Sequence, residues 1–317
     1  MRTFISYVPH GINHNNFYPI DELHPQYKEL QTFKKTLLKG YDYDFVLLFN
    51  SRNIRRKSIP DTLLAFKTFL DTLTLIEADR CCIVLHTQPV DDNGTDLYAV
   101  REMLFGERAE HHVIFSQGPV DGRYMNFLYN SSDGVILLSS NEGWGLSITE
   151  GIMCGKMIIA NVTGGLQDQM RFEDEEGNWI KCDEKFSSNH LGRYTKHGSW
   201  AIPVFPSNLS LQGSPVTPYI LDDRCSPFDA AKAIKQLYDY GKVLPKEDSD
   251  SILRKGWGLE GRAWLLSDEA KMSAEKMSNN IINSIDQVFA EWEPRESHQI
   301  IKIDKRKKRH VKYPISY

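Results

Sequence analysis

Two carboxylates eight positions apart, Glu142 and Glu150, flank a Gly-Trp-Gly turn in the stretch SSNEGWGLSITEGIMCGKMIIANVTGG (139–165). An apolar run at 133–140 precedes the turn and a helical pattern at 146–155 follows it, so the turn is a strand-to-helix junction. In doubly wound sheets such junctions bind ligands, because loops at the carboxyl ends of the strands lead into helix starts whose first amides lack intrahelical partners. Gly143 and Gly145 let the backbone come close to a ligand. The amides from Trp144 through Leu146 to Ile148 are then donors for an anion or for sugar hydroxyls. Glu150, about one turn inside the helix, is suited to accept two hydrogen bonds from a vicinal diol, and a ribose offers one.

The elements that must hold these residues are legible in the surrounding pattern. YDFVLLFN (43–50), CCIVLHT (81–87), HVIFS (112–116), DGVILLSS (133–140) and KMIIANV (156–162) are buried-strand candidates. Between them, 60–73, 95–105, 122–132 and 146–155 carry helical periodicity, and Pro60 stands at a first helical position. Near-continuous apolar strands alternating with helices predict an α/β fold, a Rossmann-like parallel sheet with helices on both faces. After Gly165 the regularity stops, and 171–225 is expected to be an irregular insertion. A helix is expected at 226–241, a long terminal helix at 267–292, and the chain ends in the basic stretch KIDKRKKRHVKYPISY. The division is then a leading segment and first helix at 1–42, a nucleotide-binding domain at 43–266, and a terminal helix with basic tail at 267–317.

Composition narrows the class. The 317 residues are 41% hydrophobic and 25% charged, ordinary for a globular chain with a real core. A net charge of -4 and a pI near 6.2 argue against general attachment to nucleic acid, which requires clustered excess cation. Five scattered cysteines (81, 82, 154, 182, 225) without a C-x-x-C pair suggest neither a disulfide framework nor a zinc site, and no metal cluster is expected. Cys81-Cys82 fits a strand core and His111-His112 a strand edge. No apolar run approaches the ~20 residues of a membrane span, so a cytoplasmic protein is expected, its basic tail a solvated end with peripheral contact to a membrane surface as the alternative.

The segment EGWGLSITEGIMCGKMIIANVTGG resembles the E-x7-E motif of retaining GT-B glycosyltransferases, family four in particular. Trp144, Gly151 and Met157 depart from the usual residues without removing a functional group. The resemblance implies the C-terminal, donor-binding half of that fold. It assigns Glu142 to hydroxyls of a donor hexose, Glu150 to the ribose of the nucleotide, and Gly164 and Gly165 to the glycine pair near the donor sugar. FNSRNIRRKSIPDTLLAF (49–66) is similar to the family's G-R-x-x-x-x-K-G segment, where an arginine and a lysine neutralise the diphosphate. Arg52 and Lys57 match by spacing, and such cations stabilise charge that grows on the leaving diphosphate. Arg55 and Arg56 lie between them as alternatives. Ser51 and Ser58 stand where the family has glycines, so the loop is expected to be less permissive. VPHGINHNNFYP (8–19) resembles the family's approach to the donor domain, with His10 and Gly11 at the matching ligand-side positions.

The expectation is therefore a retaining hexosyltransferase that uses a UDP- or GDP-sugar, needs no metal or other cofactor, and acts on the hydroxyl of a glycan, lipid or protein. The acceptor-binding, N-terminal-type GT-B domain is expected from a separate source. A stand-alone nucleotide-sugar binding module without turnover is the alternative. An NAD-dependent oxidoreductase fits poorly, since LLFNSRNIRR follows the first strand where G-x-G-x-x-G would be needed. No specific nucleic acid is expected as a partner.

Overall fold

The computed structural model describes residues 4–118, 121–181, 188–242 and 252–292. Cys182 and the basic tail lie outside these residues. The chain enters through α1 (Tyr27–Leu37) and then alternates β1 (Phe45–Asn50), α2 (Ile59–Leu70), a short α3 (Leu75–Asp79), β2 (Cys81–His86), α4 (Leu97–Phe105), a one-turn α5 (Ala109–His112), β3 (Val113–Ser116) and α6 (Gly122–Asn130). It continues with β4 (Gly134–Leu137), α7 (Leu146–Met153), β5 (Met157–Asn161) and a short α8 (Gly164–Asp168). Strands β1 to β5 and helices α2, α4, α6 and α7 match those expected from the pattern to within a few residues, whereas the short α3, α5 and α8 were not expected.

Five of the six sheet strands come from that alternation, and all pair in parallel in the order β3-β2-β1-β4-β5-β6. Phe45, Leu47, Leu48 and Phe49 of β1 and Cys81, Cys82, Ile83 and Leu85 of β2 are wholly buried. This is the state of strands covered on both faces, which is why their sequence is continuously apolar instead of alternating. The order places β1 and β4 side by side at the centre, with chain direction of growth reversing between them. Their carboxyl ends, Asn50 and Leu137, thus open onto the crevice where ligands bind in such sheets.

The region 171–225 departs from expectation. It is not wholly irregular: Ala201–Val204 forms β6, the sixth sheet strand, pairing with β5. Pro203 sits opposite Ala160. A proline is tolerated there because β6 is an edge strand, and the same proline hid the strand in the sequence. Pro206–Ser214 (β7) and Thr217–Cys225 (β8) then form an antiparallel hairpin.

Beyond it, α9 (Pro227–Lys242) returns against the sheet as expected, and α10 (Ile252–Leu266) is a helix the pattern did not announce. Its glycines conceal it, since glycine is a poor helix former. They are needed where the helix touches α7 and its surroundings. A Cβ at Gly258 would lie 1.8 Å from the Gly155 carbonyl oxygen, and one at Gly261 would lie 2.6 Å from the Trp200 ring.

The terminal helix, expected from 267, begins later. Ser273 caps the N–H of Lys276, and α11 runs over Ala274–Glu291. The preceding residues make a turn in which Met272 donates to the Leu265 carbonyl and Lys271 takes a left-handed backbone (φ 57°). Among the described residues no helix is long and apolar enough to cross a membrane.

Candidate functional site

Glu142 lies in the loop between β4 and α7, with its side chain only 9% exposed. Its Oε2 accepts from the Lys57 ammonium and from Arg56 Nη1 at 3.0 Å. Arg56 Nη1 also donates to the Asn141 carbonyl at 2.8 Å, and the Ser140 N–H donates to the Arg56 carbonyl at 2.8 Å. The loop after β4 is thus stitched to the one-turn 3-10 helix at Arg55–Lys57. Burial pushes the Lys57 ammonium below its ordinary pKa, and the bonded Glu142 pulls the other way. A buried cation of this kind is held only because an anion is within reach, so whatever displaces Glu142 must itself be anionic.

The glycine pair has a steric reason. Gly164 takes a left-handed backbone (φ +46°), and a Cβ there would stand 2.0 Å from the Glu142 carbonyl oxygen. That oxygen accepts from the Gly165 N–H at 3.1 Å. Gly164 and Gly165 therefore press the start of α8 directly onto the backbone of the Glu142 loop. Gly145 is also left-handed and packs on Leu166, whereas Gly143 is exposed with open space about it. The Trp144 ring is pinned. Its Nε1–H donates to Thr149 Oγ1, Thr149 donates to Gln169 Oε1, and Gln169 Nε2 donates back to the Trp144 carbonyl at 2.6 Å.

The leading segment reaches the same place, with the His10 ring 6.4 Å from that of Trp144. Gly11 is there for a different reason: a Cβ on it would lie 2.3 Å from the Ser273 carbonyl oxygen, at the cap of α11. Leu146 is 40% exposed at the first position of α7.

Glu150 sits in the second turn of α7, and its Oε2 accepts from the Tyr129 hydroxyl at 2.5 Å. Burial raises its pKa, and the bond from Tyr129 opposes the rise. The Tyr129 oxygen in turn accepts from Asn50 Nδ2 at 2.8 Å.

Arg52 is placed apart from Lys57. Its guanidinium is largely exposed and makes a two-point contact with Asp91, 2.8 and 3.2 Å, which together with the Asn93 N–H holds the Asp91 carboxyl at about 2. The cation that joins Lys57 at Glu142 is Arg56. Arg52 instead lines a neighbouring cleft of about 330 Å³ at the carboxyl ends of β1, β2 and β3. In that cleft Thr87 Oγ1 is buried without a hydrogen-bond partner, and burial lowers the pKa of His86. Ser58 takes a left-handed backbone (φ 50°) at the position the resemblance gives to glycine, a conformation that costs a serine more than a glycine.

Three contributors had no signal in the sequence pattern. Tyr129 reaches Glu150 from α6, and Asn50 reaches Tyr129 from the end of β1. Asp223, at the root of the β7-β8 hairpin, accepts from Thr163 Oγ1 and Asn189 Nδ2, both at 2.7 Å, while its N–H donates to the Ser140 carbonyl. The hairpin is thereby anchored two residues from Glu142. Among the described residues no group of three or more His, Cys, Asp or Glu side chains is gathered as a metal site requires.

A parallel six-stranded sheet flanked by helices, with acidic and basic side chains converging at its central carboxyl ends, defines a Rossmann-like domain of the kind that forms half of a GT-B fold. Residues 33–189, just under half of the chain, match the family model for glycosyl transferases group 1. The fold is similar to that of sucrose-phosphate synthase from Thermosynechococcus elongatus, at 19% identity and a TM-score of 0.54 over 89% of this chain and 52% of that one. A glycosyltransferase from Rickettsia africae aligns with a TM-score of 0.59 at 15% identity, over 90% of this chain and 57% of that one. Anabaena HepE, solved in complex with UDP-glucose, aligns with a TM-score of 0.55 at 13% identity, over 87% and 56%. The chain thus spans about half the length of these solved structures. No curated protein sequence matches it significantly.

Proposed function

We propose that this domain binds a nucleoside-diphosphate sugar and serves as the donor half of a retaining glycosyltransferase that moves a hexose to an acceptor hydroxyl. The observation that carries the reading is the convergence of Lys57 and Arg56 on one oxygen of Glu142, eight positions before Glu150. Two cations beside a carboxylate at a strand-to-helix junction suit a ligand with an anionic centre and hydroxyls on either side. A diphosphate would take the cations from Glu142, and the released carboxylate would accept from hydroxyls of the sugar. Glu150 would accept from the ribose. Lys57 and Arg56 would then meet the charge that grows on the diphosphate as the glycosidic bond breaks, which lowers the barrier because the interaction strengthens in the transition state.

The amides at the start of α7, with Gly143 and Trp144, would line the sugar side, and His10 would approach from the leading segment. No general base on this domain is proposed; the leaving phosphate is expected to help deprotonate the acceptor, and no metal is required. UDP is favoured by the likeness to HepE, which binds UDP-glucose at a fold of this type. An acceptor glycan, lipid or protein, an N-terminal-type GT-B domain that would hold it, and a cytoplasmic location with peripheral membrane contact belong to the same proposal.

Calorimetric titration with UDP, GDP, UDP-glucose and GDP-mannose tests the reading. Binding of at least one, lost in Lys57→Ala, is expected. A folded chain that binds none of them would sink it, and tight donor binding with no turnover alongside any acceptor-domain partner would make the chain a binding module.

A further inference from the structure

Tyr129 is wholly buried on α6, behind the loop and helix that carry the two glutamates, and its ring packs edge-on against Phe17 at 5.9 Å between centroids. A phenylalanine would make that packing without the cost of burying a hydroxyl. The hydroxyl instead joins two bonds: it accepts from Asn50 Nδ2 at 2.8 Å and donates to Glu150 Oε2 at 2.5 Å. Because an amide N–H can only donate, the contact with Asn50 occupies a phenol lone pair and leaves the phenol proton directed at Glu150. Asn50 is the last residue of β1, immediately before the loop that carries Lys57. A two-bond chain therefore runs from the central strand, through α6, to the second turn of α7.

We propose that Tyr129, oriented by Asn50, is the positioning residue of the Glu150 carboxylate: it fixes Oε2 and leaves Oε1 presented to the ribose hydroxyls of a bound nucleotide. This rests on the assignment of Glu150 to the ribose made above. A buried carboxylate without such a donor has two ways out, to rotate or to protonate, and either removes the acceptor a diol needs. The bond from Tyr129 blocks both. It holds one oxygen in place, and it counters the upward pull of burial on the Glu150 pKa.

The test compares UDP with 2′,3′-dideoxy-UDP, or the guanine pair should the chain prefer GDP, by calorimetry across roughly pH 5 to 8. The difference between the two nucleotides isolates the interaction with the diol, which a change in packing alone would not move. The unaltered chain is expected to favour the ribonucleotide by about tenfold or more, as for hydrogen bonds to a charged group. Glu150→Gln should abolish most of that preference. Tyr129→Phe should reduce it by a similar factor at the acid end and move the acid limb of binding to higher pH, while leaving the thermal midpoint close to that of the parent.

A Tyr129→Phe chain with undiminished preference and an unmoved acid limb, measured beside a Glu150→Gln chain that has lost its preference, would overturn the positioning role. Undiminished preference in Glu150→Gln would instead overturn the ribose assignment, and the inference with it. Should Tyr129→Phe not fold, Asn50→Ala tests the same chain from its other end: a lowered preference supports the proposal and an unchanged one overturns it.

Discussion

Lys57 and Glu142 lie 85 positions apart in sequence and meet at one carboxylate oxygen, each with a side chain only 9% exposed. The pair is a charge held ready for exchange. Its cation is destabilised by burial and stabilised by the Glu142 carboxylate beside it, so under the proposed function an incoming diphosphate would compete with Glu142 directly.

Glu142→Gln should separate ligand affinity from stability. Removing the competing anion is expected to strengthen binding of free UDP or GDP several-fold, while leaving the buried Lys57 ammonium short of a counter-charge. That loss should cost about 3 to 5 kcal/mol, because Lys57 and Arg56 are left side by side without the carboxylate they share. Urea unfolding and calorimetry measure the two effects, and weakened nucleotide binding in this variant would contradict the exchange.

The three arginine-lysine positions should rank by geometry. Lys57→Ala and Arg56→Ala are each expected to weaken nucleoside-diphosphate binding by about tenfold or more, as for lost charge-assisted bonds. Arg52→Ala, whose guanidinium rests on Asp91 at the neighbouring cleft, should cost less. A larger loss in Arg52→Ala than in Arg56→Ala would restore the assignment made from spacing alone.

Glu150 sets binding and stability against each other with pH. Its folded pKa is raised by burial above the ordinary value of 4.5. The group therefore contributes stability that is fully present below the unfolded value and is lost as pH rises through the folded one. The ribose binding proposed for Glu150 would need the ionised form and should grow over the same interval. Glu150→Gln should flatten both curves between the unfolded value and the raised folded value. Thermal melts and titrations at a series of pH values would show this, and an unchanged slope of stability in the variant would count against it.

Two backbone changes should act in opposite directions. Gly164→Ala puts a Cβ into the Glu142 carbonyl oxygen at a left-handed position, and should destabilise by about 2 to 4 kcal/mol and weaken donor binding as the Glu142 loop shifts. Ser58→Gly relieves a left-handed serine that makes no side-chain capping bond to α2, and should stabilise by up to about 1 kcal/mol. Denaturant midpoints of the two variants give the comparison, and a stabilised Gly164→Ala would show that the close approach at Glu142 is not tight.

The sequence by itself determined the alternation of apolar strands with amphipathic helices, and hence the parallel sheet and the position of the Glu142–Glu150 junction at its carboxyl edge. These are readable because burial on both faces writes itself into consecutive residues, and because a helix start follows its strand within a few positions. It also located the cation loop, but Arg52, Arg55 and Arg56 are chemically alike there. Which of them faces Glu142 depends on the 3-10 turn at Arg55–Lys57 and the left-handed Ser58 after it, backbone choices that a run of cations does not encode. The tertiary structure alone brought Tyr129 to Glu150 and Asn50 to Tyr129, seated the edge strand with Pro203, and rooted a hairpin beside the site through Asp223. Each of these joins residues distant in the chain through single side-chain bonds or edge pairings, and such contacts leave no period in the sequence.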